Sequence, residues 1–254
     1  MPIALTREVS SRLAACELTY LARLSIDVER AREQHSAYEQ ALRDAGYVVE
    51  RLPATDDMPD SVFIEDIALA FDELAVVTRP GAESRRVEVP VVADALARYR
   101  PVRAIEAPGT IDGGDVLVVG GRVFVGRSTR TNAAAIGQLR QMLAPFGYIV
   151  CDVAVRGCLH LKSAVTALSG DLLLANREWV DIAALAGFAF VDVDPAEPMG
   201  ANALRLHDRI VYQAAFPRTA DRIAKAGLPM AIVDTSELAK AEGAVTCCSV
   251  IVSN

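Results

Sequence analysis

Four pairs of short apolar runs recur along the chain, each pair split by a turn: 66–71 with 74–79, 115–119 with 122–127, 163–168 with 171–176, and 203–206 with 209–214. Apolar runs flanking a short turn read as β-hairpins. Their starts are 49, 48 and 40 residues apart, and a further step of 46 lands on Ser249-Val250-Ile251-Val252, at the end of the sequence. Ile3-Ala4-Leu5-Thr6 is strand-like and has no neighbour of its own. Pairing the last strand with the first closes a ring, which removes exposed sheet edges. A repeat in this size range marks a solenoid or propeller, so few other architectures suit the chain.

Each hairpin is followed by a helical stretch and another strand. The stretches are 90–98 before Val102 to Ile105, 132–146 before Tyr148 to Val153, 177–187 before Phe188 to Val193, and 218–226 before Pro229 to Val233. After the first strand comes 27–45, then Tyr47 to Leu52. The pattern predicts five ββαβ units in one closed domain spanning residues 1–254. In 27–45, Val28, Ala31, His35, Tyr38, Leu42 and Ala45 form one apolar stripe with Gly46 as a stop. His35 on that stripe reads as a core histidine. Residues 8–26 are the least regular part, either a mobile lid or an ordinary connection.

With 52% hydrophobic and 23% charged residues the composition is that of a soluble globular protein. A net charge of -7, with no Lys/Arg run longer than a pair, argues against nucleic acid or an anionic membrane as partner. No segment approaches the roughly 20 apolar residues of a membrane span, and the first residues show no signal-peptide core, so a cytoplasmic location is expected. Five cysteines without a framework spacing fit reduced thiols.

In a closed ring the loops entering equivalent strands emerge together near the axis. The residues just before the hairpins are Glu65-Asp66, Asp112 with Asp115, His160, Asn202 and Cys247-Cys248. A thiol, an imidazole and several carboxylates therefore converge from distant parts of the sequence. Cys247 and His160 suggest nucleophilic catalysis, in which a cationic neighbour or ligand raises the thiolate fraction. His160 would protonate a leaving group and then deprotonate water, with Asp112 orienting the ring. Each residue alone has a plainer reading: Cys247 a buried small hydrophobe, His160 a structural histidine, and Cys247-Cys248 part of a soft-metal site that lacks further ligands. Asp60, Glu65 and Asp66 form an acidic group suited to a guanidinium. Arg85 and Arg130 follow the second strands of their hairpins and suit a carboxylate; singly, they read as solvated surface and the acids as loop caps. The set describes a ligand with a guanidinium at one end and an α-carboxylate at the other.

At these residues the sequence resembles the dimethylarginine dimethylaminohydrolases of the guanidine-modifying pentein superfamily. The matching stretches are Pro59 to Asp66, Thr78 to Arg86, Asp112-Gly113-Gly114-Asp115, Arg130-Thr131-Asn132, Leu159 to Ser163, and Thr246-Cys247-Cys248-Ser249-Val250. The resemblance covers essentially the whole chain and implies a five-bladed α/β propeller. It implies hydrolysis of Nω-methylated arginines to citrulline and a methylamine, with no cofactor and no metal. It implies Cys247 as nucleophile through a thiouronium-type intermediate, His160 as acid and then base, and Asp112 as the supporting carboxylate. Asp60, Glu65 and Asp66 would lie around the guanidinium and Arg85 and Arg130 would hold the α-carboxylate. Leu18 would belong to the lid and Phe63 to the pocket wall. Some members carry Glu where this chain has Asp112, and residues 241–245 depart from the pattern. A small-molecule substrate is the expected partner, with a homodimer as the expected assembly. The alternatives are a deiminase acting on arginine itself, agmatine being disfavoured because it has no carboxylate, and a non-catalytic guanidine-binding module, which would not need the nucleophile.

Overall fold

The computed structural model describes residues 1–253. In chain order, β1 (Ile3–Arg7), α1 (Val28–Asp44) and β2 (Val48–Leu52) are followed by β3 (Ala68–Ala70), β4 (Ala75–Val77), α2 (Val89–Leu96) and β5 (Val102–Ala104). Next come β6 (Val116–Val119), β7 (Arg122–Arg127), α3 (Ala133–Leu143) and β8 (Ile149–Ala154), then α4 (Leu161–Ala164), β9 (Val165–Ala167), β10 (Leu172–Ala175) and β11 (Ala189–Asp192). The chain finishes with β12 (Leu204–Leu206), β13 (Arg209–Gln213), α5 (Pro217–Lys225), β14 (Met230–Val233), α6 (Ser236–Ala239) and β15 (Val250–Val252).

The strands form five three-stranded sheets. In four of them an antiparallel hairpin is extended by a parallel third strand, which the preceding connection returns to the sheet. The fifth joins the two ends of the chain: β1 pairs antiparallel with β15 (Ala4 opposite Ile251) and parallel with β2 (Ala4 opposite Val49). These are the five repeats and the terminal pairing expected from the sequence.

The middle strand of each sheet is apolar on both faces because it feeds two cores. Successive side chains of a strand point to opposite faces. Leu5 of β1 accordingly packs with Ile67, Ala75 and Leu96, while its neighbour Ala4 packs with Tyr38, Leu42 and Leu206. Val123 and Val125 of β7 join Val76 and Ile136, and Phe124 between them joins Val165 and Leu173. Leu174 then meets Ile210 and Tyr212, and Val211 returns to the cluster holding Ala4. Five clusters thus link the five sheets cyclically. No helix among the described residues is long and apolar enough to cross a membrane.

Three elements differ from expectation. The helix predicted over 177–187 is reduced to a 3-10 turn at Ile182–Leu185. Residues just before it are taken by sheet-like bonds, Arg156 N–H to Trp179 O at 3.0 Å and Asp181 N–H to Ala154 O at 3.1 Å, so too few remain for an α-helix. The first hairpin begins at Ala68 rather than 66, because Ile64–Ile67 form a 3-10 turn, and the third begins at Val165 rather than 163, because Leu161–Ala164 form α4. His35 is a core histidine as expected: burial drives its pKa down to about 4 despite the Glu39 carboxylate 3.7 Å away. All five cysteines are free.

Candidate active site

The segments that enter the sheets supply the chemistry. The 3-10 turn Ile64–Ile67 carries Asp66 into β3, a second one, Gly113–Asp115, follows Asp112 into β6, and His160 immediately precedes α4 and β9. Cys247 sits in the turn before β15, its carbonyl accepting the N–H of Glu65 at 3.1 Å. Asp60, Phe63, Asp66, Arg85, Asp112, Arg130, His160 and Cys247 all line one small cavity of about 30 Å³.

The tight packing of this loop cluster explains its Gly-Gly step. A Cβ on Gly113 would lie 1.9 Å from the carbonyl oxygen of Glu65, and one on Gly114 would lie 2.5 Å from Nδ1 of His160. Close approach, to backbone at Gly113 and to the His160 and Asp66 side chains at Gly114, rather than a left-handed backbone, therefore favours glycine at both positions. Gly114 N–H donates to Oδ1 of Asp66 at 3.0 Å. Asp115, though adjacent, faces inward, accepting from Ser128, Thr131 and the Leu161 N–H, and its role is to tie three loops together.

His160 is 7% exposed, with Nε2 3.1 Å from Oδ2 of Asp112 and Nδ1 3.9 Å from Oδ1 of Asp66. Burial opposes its charge, but Asp66, Asp112 and Asp115 together outweigh that and raise its pKa to about 9. The imidazole is therefore the proton-carrying form at neutral pH. Burial, reinforced by the carboxylates of Glu65 and Asp66, pushes the Cys247 thiol up, so it rests as a neutral thiol on the cavity that the imidazolium also lines. Burial likewise raises Asp60 to about 6 against the pull of Arg85. Asp66 moves the other way, since His160, Arg85 and the Gly114 N–H overcome its burial.

Three expected ligand-binding residues are placed differently from the rest. Glu65 does not line this cavity: its carboxylate pairs with Lys162 Nζ at 2.5 Å, accepts from Thr246 Oγ1 at 2.8 Å, and borders a separate cavity of about 410 Å³. Arg85 does line the cavity but is heavily engaged, donating to Asp66, to both oxygens of Glu88 and to the carbonyls of Asp60 and Phe63. Arg130 is half-buried and donates from Nη2 to Thr19 Oγ1 at 2.9 Å, which leaves it the more available cation. Leu18 is half-buried against the core cluster on which Cys247 also packs, not on the cavity wall.

Sequence reasoning missed Glu17, Leu159, Ala241 and Glu242, which also line the cavity. Glu17 lies in the irregular 8–26 segment, and 241–242 lie where the chain departs from the pattern of its resemblance; those departures were the available signal. Asn202, expected near the axis, clamps the nucleophile loop by donating to Thr246 Oγ1 and accepting from the Thr246 N–H. Ligand atoms of Asp66, Asp112 and His160 lie within 4.8 Å of one another and could face a metal ion, although protonated His160 and Arg85 already balance this charge. The Cys247-Cys248 pair does not offer two thiols to one point, because Cys248 is fully buried in the core.

The family model described as N,N dimethylarginine dimethylhydrolase, eukaryotic, matches residues 21–181. An N(G),N(G)-dimethylarginine dimethylaminohydrolase of Streptomyces coelicolor is 43% identical over 97% of this chain and 95% of its own length. The Pseudomonas aeruginosa protein of that name is 38% identical over 88% of this chain and 89% of its own. A solved cysteine-to-serine mutant of the Pseudomonas aeruginosa enzyme, complexed with citrulline, superposes with a TM-score of 0.91 at 34% identity, covering 98% of both chains. With more than half of the chain matched by the model and both relatives aligned over most of their length, the chain belongs to the dimethylarginine dimethylaminohydrolase family.

Proposed function

We propose that the protein hydrolyses Nω-methylated L-arginines, asymmetric dimethylarginine and monomethylarginine among them, to L-citrulline and the corresponding methylamine. The observation that carries this reading is the convergence, in one cavity, of the Cys247 thiol, the His160–Asp112 pair and the carboxylates Asp60 and Asp66, with Arg130 half-exposed at the same wall.

A guanidinium lying against Asp66 brings a cation to a thiol held neutral chiefly by burial and neighbouring carboxylates. That cation favours the thiolate, whose proton leaves to solvent. The Cys247 sulfur adds to the guanidinium carbon, and His160, already protonated, gives its proton to the departing methylated nitrogen as the C–N bond breaks. The product of this half is a thiouronium on Cys247 and a neutral imidazole. His160 then takes a proton from water, the hydroxide adds to the same carbon, and the C–S bond breaks, the hydroxyl proton leaving as the citrulline carbonyl forms and the released sulfur regaining a proton to restore the thiol. Asp112 holds the ring throughout and stabilises its cation. Asp60 and Arg130 suit the α-amino and α-carboxylate groups; Leu18 serves the lid, Phe63 the wall, and Glu65 acts on the thiol electrostatically, paired with Lys162.

The test is citrulline release from asymmetric dimethylarginine, monomethylarginine, arginine and agmatine, with Cys247→Ser as the control. Turnover of the methylated substrates, lost by at least about a thousandfold in the variant, is expected. Preference for arginine would make the enzyme a deiminase, and no turnover of any substrate would leave a guanidine-binding module.

A further inference from the structure

The cavity at Cys247 measures about 30 Å³, room for water but not for an amino acid. Ligand pockets for small molecules start at roughly 300 Å³, so something over this one must move. Residues 16–21 border it through Glu17. They run without regular structure between the 3-10 turn Leu13–Ala15 and α1, and Glu17 reaches the cavity wall.

Besides Arg23, which donates to the Cys16 carbonyl, four sets of bonds fasten this segment. Glu17 N–H donates to Asp60 (3.1 Å to Oδ2), Ser84 Oγ donates to Glu17 Oε1 at 2.7 Å, and Arg130 donates to Thr19 Oγ1. The fourth set is of another kind. The carboxylate of Glu242 accepts three successive backbone N–H groups, Thr19 at 3.0 Å, Tyr20 at 2.5 Å and Leu21 at 2.7 Å. These residues lie more than 220 positions apart in sequence. Glu242 also has a φ of 60°, a left-handed conformation that a glutamate rarely adopts. Strain of this kind persists where the surrounding structure demands it. Here Gly243 follows, packed so closely that a Cβ would lie 2.2 Å from the Phe63 ring. The backbone is thereby pinned, and the left-handed turn stands beside the lid amides that the Glu242 carboxylate caps.

We infer that Glu242 is the catch of a lid formed by residues 16–21, a positioning residue that sets how often the active site opens. Resting on the proposed function, the assignment has a particular logic. Asp60 and Arg130 are the groups that a substrate amine and carboxylate would take, so the lid bonds to them compete with the ligand. The three bonds to Glu242 do not compete, and they hold the lid whether or not a substrate lies beneath it. The catch is five residues before Cys247 on the same turn-rich segment, so lid and nucleophile share one support.

The experiment is amide hydrogen exchange at Thr19, Tyr20 and Leu21 in the wild type, Glu242→Gln and Glu242→Gly, joined to steady-state kinetics. Glu242→Gln keeps the size and the left-handed strain but removes the charge and one acceptor; Glu242→Gly also relieves the strain. Both variants should exchange these amides at least about tenfold faster, with the strands unchanged. KM should rise while kcat is kept or increased, since opening becomes easier. Unchanged exchange at these amides in both variants would overturn the inference, as would acceleration throughout the molecule or a fall in kcat at constant KM. The exchange result stands even if no methylated arginine is turned over, so failure of the hydrolase reading is separately visible.

Discussion

Nε2 of His160 lies 3.1 Å from Oδ2 of Asp112, and the other oxygen of that carboxylate accepts the N–H of Gly81 at 2.8 Å. The carboxylate is thus held from behind by backbone while it faces the imidazole. This anchorage holds the short aspartate side chain where it reaches the ring. The ring is thereby oriented: Nε2 faces Asp112, and Nδ1 lies 3.9 Å from Oδ1 of Asp66.

Asp112→Asn retains the shape but removes the charge that stabilises the imidazolium. Turnover should fall by about 10²- to 10⁴-fold. Asp112→Glu should also lose activity, by at least about tenfold, because the longer side chain cannot keep both the Gly81 bond and the His160 bond where the loops now stand. Steady-state citrulline release from both variants checks this, and full activity in the glutamate variant would show that the Gly81 anchor is dispensable.

The two glycines of the same loop separate chemistry from stability. Gly114→Ala places a methyl 2.5 Å from Nδ1 of His160 and 3.0 Å from Oδ1 of Asp66. Both are side-chain atoms that can shift, so the variant should fold yet lose at least about a hundredfold in kcat as the reacting groups are displaced. Gly113→Ala meets the Glu65 backbone instead and should lower stability by about 1–3 kcal/mol. Thermal melting alongside kcat distinguishes them; equal losses of stability in both would refute the distinction.

The hairpin repeat and the convergence of Cys247, His160 and Asp112 on one cavity were legible because their signals are local or additive. Middle strands such as Arg122–Arg127 are apolar on both faces, and that continuous run is visible without a structure. The placement of Cys247, His160 and Asp112 followed from the ring, since equivalent loops share an end. What sequence could not show was direction. Glu65 and Asp66 are neighbours, yet one faces Lys162 and the other Arg85, and only the 3-10 turn at Ile64–Ile67 decides which way each points. Glu242 was hidden for a related reason, because its partners are backbone N–H groups and carry no sequence signature.

Arg85 and Arg130 were expected as one clamp, but their surroundings assign them unequal costs. Arg85 is 5% exposed and neutralises Asp66 and Glu88. Arg85→Ala leaves two buried carboxylates unpaired and should cost about 3–5 kcal/mol of stability. Arg130→Ala removes a half-buried cation whose guanidinium donates to Thr19, so it should raise KM with little change in melting temperature. Denaturant unfolding and KM for the two variants test the assignment, and a purely kinetic effect of Arg85→Ala would contradict it.

The acid–base groups set a pH window. Asp60, raised to about 6 by burial, is neutral below that value and then no longer attracts a cationic group of the ligand. His160, whose pKa reaches about 9 as its carboxylate neighbours overcome its burial, loses the proton it must donate as pH rises through that value. A plot of kcat/KM should therefore rise to pH 6, remain high, and fall beyond pH 9, with Asp60→Asn moving only the acid limb. The same histidine links pH to folding. Its folded pKa lies above the ordinary 6.5, so its stabilisation is complete below about pH 6.5 and is lost as pH climbs through about 9. That loss is on the order of 3 kcal/mol. His160→Ala should flatten the stability curve between these limits, because it removes the proton that the folded state retains and the unfolded chain gives up. Parallel curves for variant and wild type across that interval would mean that His160 does not hold its proton in the folded enzyme.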